Sequence, residues 1–148
     1  MTMIYIGSDH AGYELKENLK IYLNLLGYKV SDKGAFTLDN DDDYPDFIVP
    51  VAKAVANDPD SFGIILGGSG QGEAMSANKI DGVRATEYYG GDPEVVKVSR
   101  EHNNANILSI GARFVSEEEA KEVVTLFLET KFKKEARHVR RINKLEKE

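Results

Sequence analysis

Four glycines fall within six positions in the run Gly67-Gly68-Ser69-Gly70-Gln71-Gly72-Glu73. An apolar run precedes it and a helical pattern follows. Glycines at that density let a backbone approach a ligand closely. The first N–H groups of the helix then point at an anion or a developing oxyanion. The run is not a dinucleotide fingerprint, because G-x-G-x-x-G from Gly68 would need glycine at 73. It is not a P-loop, because Gly72 is followed by Glu and not by Lys. The plainer reading is a tight strand-to-helix turn. Glu73 carries two readings as well. As a helix-dipole partner it would contribute about 0.3–1 kcal/mol. As a general base at a ligand-facing mouth it would need a raised pKa, which burial supplies and the dipole opposes.

The chain has three histidines, His10, His102 and His138. His10 follows the first apolar run, and His102 sits in Arg100-Glu101-His102-Asn103-Asn104, just before another. This spacing predicts that both lie at strand mouths, where an acid or base meets a ligand. His138 lies in a basic tail. No H-x₃-H or H-E-x-x-H spacing exists, so no zinc site is expected. In the acidic run, Asp39, Asp41 and Asp43 match the first, third and fifth positions of a calcium loop. Tyr44 and Pro50 then stand where Gly and Glu are required. That run reads as a solvated loop, with Asp43 or Asp46 capping the next helix. In the tail, Arg137 and Arg141 are four apart, on one helical face. Two forked guanidiniums there suit a phosphate, and Arg113 could join them. The alternative is a solvated basic face. Val139, Ile142 and Leu145 form a thin apolar stripe suited to another element or subunit.

Composition sets the frame for these residues. The chain has 148 residues, 41% apolar and 30% charged, which suits a single globular domain over 1–148. Residues 131–148 hold eight basic and three acidic side chains, whereas the other 130 residues hold 11 basic and 22 acidic. An acidic body argues against a broad nucleic-acid surface. No apolar run reaches the roughly 20 residues that span a bilayer. The first residues lack a basic stretch ahead of their apolar run, so no signal peptide is expected. Without cysteine there are no disulfides, thiolate zinc sites or cysteine nucleophiles, which favours the cytoplasm.

Strand and helix patterns alternate. Strands are predicted at Met3–Ser8, Tyr28–Asp32, Phe62–Leu66, Gly82–Thr86 and Asn106–Ile110. Leu15, Leu19, Tyr22, Leu23 and Leu26 mark a helix stopped by Gly27. A second helix should start near residue 48, leaving Pro50 in its first turn. Others follow the glycine-rich turn, Asp92-Pro93-Glu94, and the capping box of Ser116 and Glu119. A last one should run from about Lys133 to the end. The pattern implies an α/β fold, a parallel sheet covered on both faces. Ligands bind such sheets outside the carboxyl ends of the strands. That directs attention to Asp9-His10, Gly67–Glu73 and Gly111–Arg113.

These segments resemble the ribose-5-phosphate isomerase B family, which also contains the galactose-6-phosphate isomerase subunits. The resemblance rests on G7-S8-D9-H10-A11-G12, D43-Y44-P45, the glycine-rich turn, A77-N78-K79, R100-E101-H102-N103-N104-A105-N106, G111-A112-R113 and R137-H138-V139-R140-R141. It implies a Rossmann-like three-layer α/β/α fold with a five-stranded parallel sheet and a basic C-terminal helix at 131–148. It further implies a homodimer or larger assembly that interconverts ribose 5-phosphate and ribulose 5-phosphate, with no cofactor and no metal. One branch of the family carries a catalytic cysteine where this chain has Gly67. The chain is similar to the other branch, where a glutamate closing the turn takes the proton. By matching position, Glu73 is then the base and His102 the acid that opens the furanose ring. Asp9 and His10 contact the sugar near its ring oxygen and hydroxyls. Gly68, Ser69, Gly70, Gln71 and Gly72 form the turn that holds the sugar, with N–H donors from Ser69 to Gly72 for the enediolate. Asn103 binds the sugar. Arg113, Arg137 and Arg141 hold the phosphate, with His138 beside them. Residues 87–95 match no part of the family pattern. Two alternatives stand beside this reading: an isomerase of a six-carbon phosphate such as allose or galactose 6-phosphate, and a non-catalytic sugar-phosphate sensor.

Overall fold

The computed structural model describes residues 2–146. Five strands form one parallel sheet in the order β2-β1-β3-β5-β4. They are β1 (Met3–Ser8), β2 (Lys29–Asp32), β3 (Phe62–Gly67), β4 (Ala85–Tyr88) and β5 (Ile107–Gly111). Six α-helices join and flank them: α1 (Tyr13–Leu25), α2 (Pro45–Ala56), α3 (Gln71–Asn78), α4 (Glu94–Asn103), α5 (Glu117–Glu129) and α6 (Ala136–Glu146). A single 3₁₀ turn, His10–Gly12, lies between β1 and α1.

The pleat explains the three layers. Ile4 and Ile6 of β1, Ile64 and Leu66 of β3, and Leu108 and Ile110 of β5 point to one face, where α1, α4 and α5 cover them with Leu19, Leu23, Val96, Val123 and Phe127. The intervening Ile65 and Ile107 point the other way, toward Ile48, Val51 and Val55 of α2 and Ala77 of α3. Both faces of the central strands are buried, so the run in β3 is continuously apolar, as a parallel sheet requires. The predicted three-layer α/β/α architecture is the one observed.

Three elements, α2, β4 and α6, start about three residues from the sequence expectation, each for a local reason. Helix α2 begins at Pro45 rather than near 48, with Pro45 in its first turn and Pro50 inside it. Pro50 is exposed, so the carbonyl it leaves without an N–H partner faces water. Neither Asp43 nor Asp46 caps the helix; its N-cap position is Tyr44, which makes no side-chain capping bond. Strand β4 starts at Ala85 because residues 80–83 close a turn, with Val83 N–H donating to the Ile80 carbonyl at 3.1 Å. Helix α6 starts at Ala136, not at Lys133, whose N–H donates instead to the Glu101 carbonyl at 3.0 Å. The expectation that it runs to the end falls partly on residues 147–148, outside the described residues.

Two buried cations brace the fold near the functional segments. Lys16 is wholly buried and donates to both Asp32 oxygens (2.9 and 2.7 Å) and to the Ala35 carbonyl (2.8 Å). Bonds from Lys16 and Lys20 hold the Asp32 carboxyl below the ordinary range despite its burial. This cluster pins the start of the loop that carries the acidic run. Arg100, also buried, donates to the carbonyls of Thr130 (3.1 Å) and Ala105 (2.6 Å) and to Asn104 Oδ1 (2.9 Å). Its guanidinium sits 4.8 Å from the Phe62 ring centre, at the start of β3.

Candidate active site

The glycine-rich turn leaves the carboxyl end of β3 and enters α3. Gly70 takes the left-handed conformation (φ 80°) at the head of α3, where an L side chain is strained. Gly67 is required for a different reason: a Cβ there would collide with the Glu73 carboxyl group. The Glu73 side chain therefore folds back over β3 into space that only glycine leaves open. The turn is fixed to the end of β5. Ala112 and Arg113 N–H groups donate to the Gly67 and Gly68 carbonyls at 2.7 and 3.0 Å, and Ser109 Oγ donates to the Gly70 carbonyl at 2.6 Å.

Glu73 is buried, with 4% of its surface exposed. Burial pushes its carboxyl above the ordinary range. The N–H groups of Glu73 and Gly70 pull it down, while Asp9 and Glu87 add to the rise. The contest left open by the sequence is thus decided for desolvation. A carboxylate of raised proton affinity beside the N–H groups of a helix start is the equipment for removing a proton next to a carbonyl. It opens on a cleft of about 570 Å³ lined by Tyr44, Gly68, Ser69, Glu73, Arg113 and Phe114.

Asp9 and His10 follow β1 into the same mouth. Asp9 is buried, and its Oδ1 accepts from Ala11 N–H (2.9 Å) and Gly12 N–H (3.4 Å), which caps the 3₁₀ turn. The His10 ring is held by Asp42, whose Oδ1 lies 2.7 Å from Nδ1 and accepts from the His10 backbone N–H at 3.1 Å. Only 7% of the Asp42 side chain is exposed. The acidic run is therefore not all solvated loop. One of its five aspartates closes on the site from 32 residues away, a contact that no local spacing announces. Asp9, His10 and Asp42 offer ligand atoms within 4.8 Å of one another, close enough to share a cation, although His10 and Asp42 are already joined to each other.

The remaining candidates lie elsewhere. Helices in this fold run antiparallel to the strands, so the last turn of α4 sits at the amino ends of the strands. Arg100 of that turn touches Phe62, the first residue of β3, whereas Glu73 folds over Gly67, the last. The length of β3 separates them, roughly 16 Å at about 3.3 Å per residue. His102 is thus not at a strand mouth, which corrects the expectation. A residue just after a strand faces the mouth, and a residue just before one faces the opposite edge. There His102 stacks on His138, ring centres 4.4 Å apart. His138 is buried, and its Nε2 lies 3.3 Å from Glu135 Oε2 but out of hydrogen-bond alignment. Asn103, Arg137 and Arg141 are exposed on this side. Arg113 stays with the cleft, so the three arginines do not converge within one chain.

The Ribose/Galactose Isomerase family profile matches residues 4–145. Ribose-5-phosphate isomerase B of Mycolicibacterium paratuberculosis is 45% identical over 140 residues, covering 95% of this chain and 87% of that protein. The protein of the same name from Mycobacterium tuberculosis is 43% identical over 140 residues, 95% and 85% of the two chains. The crystal structure of ribose-5-phosphate isomerase B from Mycoplasma genitalium with bound ribulose-5-phosphate superposes with a TM-score of 0.93 at 38% identity, covering 98% of this chain and 94% of that one.

Proposed function

The chain belongs to the ribose/galactose isomerase family, and from that membership we infer that it is an aldose–ketose isomerase interconverting D-ribose 5-phosphate and D-ribulose 5-phosphate. The observation that carries the chemistry is the buried Glu73 carboxyl, raised in proton affinity and laid over Gly67. Moving a carbonyl from C1 to C2 requires removal of the C2 proton and its return at C1. Glu73 takes and returns that proton. The N–H groups of the glycine-rich turn hold the enediolate oxygen, donors each worth about 2.7–4 kcal/mol in such a role. These groups provide acid–base and oxyanion functions without calling on a metal. The ribose 5-phosphate isomerases among the relatives favour the five-carbon substrate over allose or galactose 6-phosphate, and favour an enzyme over a sensor.

A phosphorylated sugar also needs the acid and the phosphate grip, and these residues stand at the far edge of the sheet. We propose that the working unit is a homodimer in which the partner subunit's His102, Asn103, Arg137 and Arg141 reach the cleft built on Glu73. Three features support this. Val139 and Leu145 of α6 are 37% and 66% exposed, apolar side chains left open on the outer side of the helix. Met75 on α3, beside the cleft, is 68% exposed. A groove of about 800 Å³ runs between the β4 edge and α6, lined by Asn78, Arg84, Thr86, Asn103 and Leu145. We place the enzyme in the cytoplasm, where such metabolites turn over. The test is direct: the protein should convert ribose 5-phosphate to ribulose 5-phosphate, and faster per unit KM than it converts a six-carbon phosphate. A protein that binds ribose 5-phosphate and never converts it would restore the sensor reading.

A further inference from the structure

The loops that enter β3, β4 and β5 meet at the amino edge of the sheet, beside the last turn of α4. They enclose a pocket of about 480 Å³, lined among others by Ala56, Asp60, Phe62, Arg84, Arg100 and Asn106. The isomerase chemistry proposed above gives this pocket no part.

Its two arginines are fixed in the same manner. Arg100 donates through Nε to the Thr130 carbonyl, and through Nη1 to Asn104 Oδ1 and the Ala105 carbonyl. Arg84 donates through Nε to the Asn104 carbonyl at 2.9 Å, and through Nη1 to Glu146 Oε1 at 2.7 Å and the Gly82 carbonyl at 3.5 Å. Among the described residues each guanidinium is left with Nη2 unbonded, and neither Nη2 is sealed away from open space. Both arginines grip one residue: Arg84 holds the backbone of Asn104, and Arg100 holds its side chain. Two like charges are thus brought close together.

Only one of them has a counter-charge. Arg84 pairs with Glu146. Arg100 is 6% exposed, and its neighbours are neutral oxygens and the rings of Phe62 and Phe127. Burial, and after it the charge of Arg84, pushes its pKa below the ordinary guanidinium range. A buried cation without an anion is costly, and an anion supplied from outside relieves it.

We propose that this pocket binds the phosphate group of a small anionic metabolite, held between Nη2 of Arg84 and Nη2 of Arg100. The frame is already built. Arg84 N–H donates to Asn106 Oδ1 at 2.8 Å, and Asn106 Nδ2 donates to the Gly82 carbonyl at 2.9 Å. Arginines committed at Nε and Nη1 lose little further freedom on binding. The carbonyl ends of α2 and α4 would repel an anion. Those of Lys53, Val55, Ser99 and Arg100 already accept hydrogen bonds. Among the described residues, Asp60 is the one carboxylate that lines the pocket, and it is exposed.

The test is the binding of inorganic phosphate, measured by calorimetry in an Arg113→Ala background that weakens the cleft's own hold on anions. Ala56→Asp adds a carboxylate to the pocket wall and removes no hydrogen bond, and should weaken binding about tenfold. Asp60→Asn removes the carboxylate already there and should tighten binding about threefold. Glu118→Gln makes the same change of charge on an exposed residue of α5 and should leave binding unchanged. Tungstate, a phosphate mimic, soaked into crystals of the parent protein should lie between the two Nη2 groups. Equal phosphate affinity in all these variants, or no tungstate between Arg84 and Arg100, would overturn the site. Binding is read without turnover, so this outcome is independent of the isomerase reading.

Discussion

The two edges of the sheet are built in opposite ways. At the carboxyl edge, the groups proposed to meet the substrate are themselves fixed: Glu73 is buried over Gly67, Asp9 caps a turn, and His10 is clamped by Asp42. At the amino edge, the fixed groups lie behind those proposed to act. Arg100 and His138 are buried, while Asn103, Arg137 and Arg141 stand exposed in front of them. The first arrangement is preorganised within one chain, with burial tuning proton affinities. The second is a buried platform that presents side chains outward, the surface that the proposed dimer would use. The difference teaches where each kind of substitution should act: rate at the carboxyl edge, affinity and assembly at the amino edge.

The largest effect tests the carboxyl edge. Glu73→Gln should lower kcat by about a thousandfold or more and leave substrate binding near normal. Its stability should move the other way. A carboxyl whose pKa is raised on folding stabilises the fold while neutral, and that contribution is lost as pH rises through its folded value. At pH 7 the Gln variant should therefore melt at or above the parent temperature, and the advantage should vanish below about pH 4, the unfolded carboxyl range. The parent's kcat should fall on acidification with a midpoint above the usual glutamate value, about 4.3. A midpoint at or below that value would mean that desolvation does not control Glu73.

Next comes the platform. Arg100→Ala strips hydrogen bonds from two backbone carbonyls and Asn104, and should destabilise the fold by about 3 kcal/mol, measured by urea unfolding. It should raise KM while leaving the acid midpoint of kcat unmoved, because Glu73 is a strand's length away. A shifted midpoint would show that the two edges are coupled within one chain. The smallest effects belong to the exposed arginines. Arg137→Ala and Arg141→Ala should each raise KM for ribose 5-phosphate about tenfold, whereas Lys144→Ala should leave it unchanged. A similar rise in all three would reduce the tail to a general basic field.

Much of the carboxyl edge was legible because its signals are local. The glycines, Glu73, Asp9 and His10 each follow a strand directly, and the parallel fold sends every such residue to one edge. The position of His102 was not legible by the same rule, since adjacency to a strand does not say which end is meant. Asp42 was hidden for a different reason. Its composition is that of a solvated loop, and only the tertiary contact with His10 distinguishes it from Asp41 and Asp43. The outcome for Glu73 was likewise beyond spacing, because dipole and burial oppose and only the depth of the side chain decides. The basic tail divides along the same line. Its periodicity placed Arg137 and Arg141 on one face, but their distance from Arg113 appears only once α4 is seen to return to the amino edge.

The central claim, that one chain's cleft works with another chain's platform, is tested most directly by mixing two inactive variants. Glu73→Gln lacks the proposed base and His102→Asn lacks the proposed acid. If sites are shared, each mixed dimer contains one site with both defects and one with neither. After unfolding and refolding an equal mixture, activity should return to about a quarter of the parent level, as random pairing into dimers dictates. If the mixture stays as inactive as its components, each chain must hold its complete site alone, and the shared arrangement is wrong.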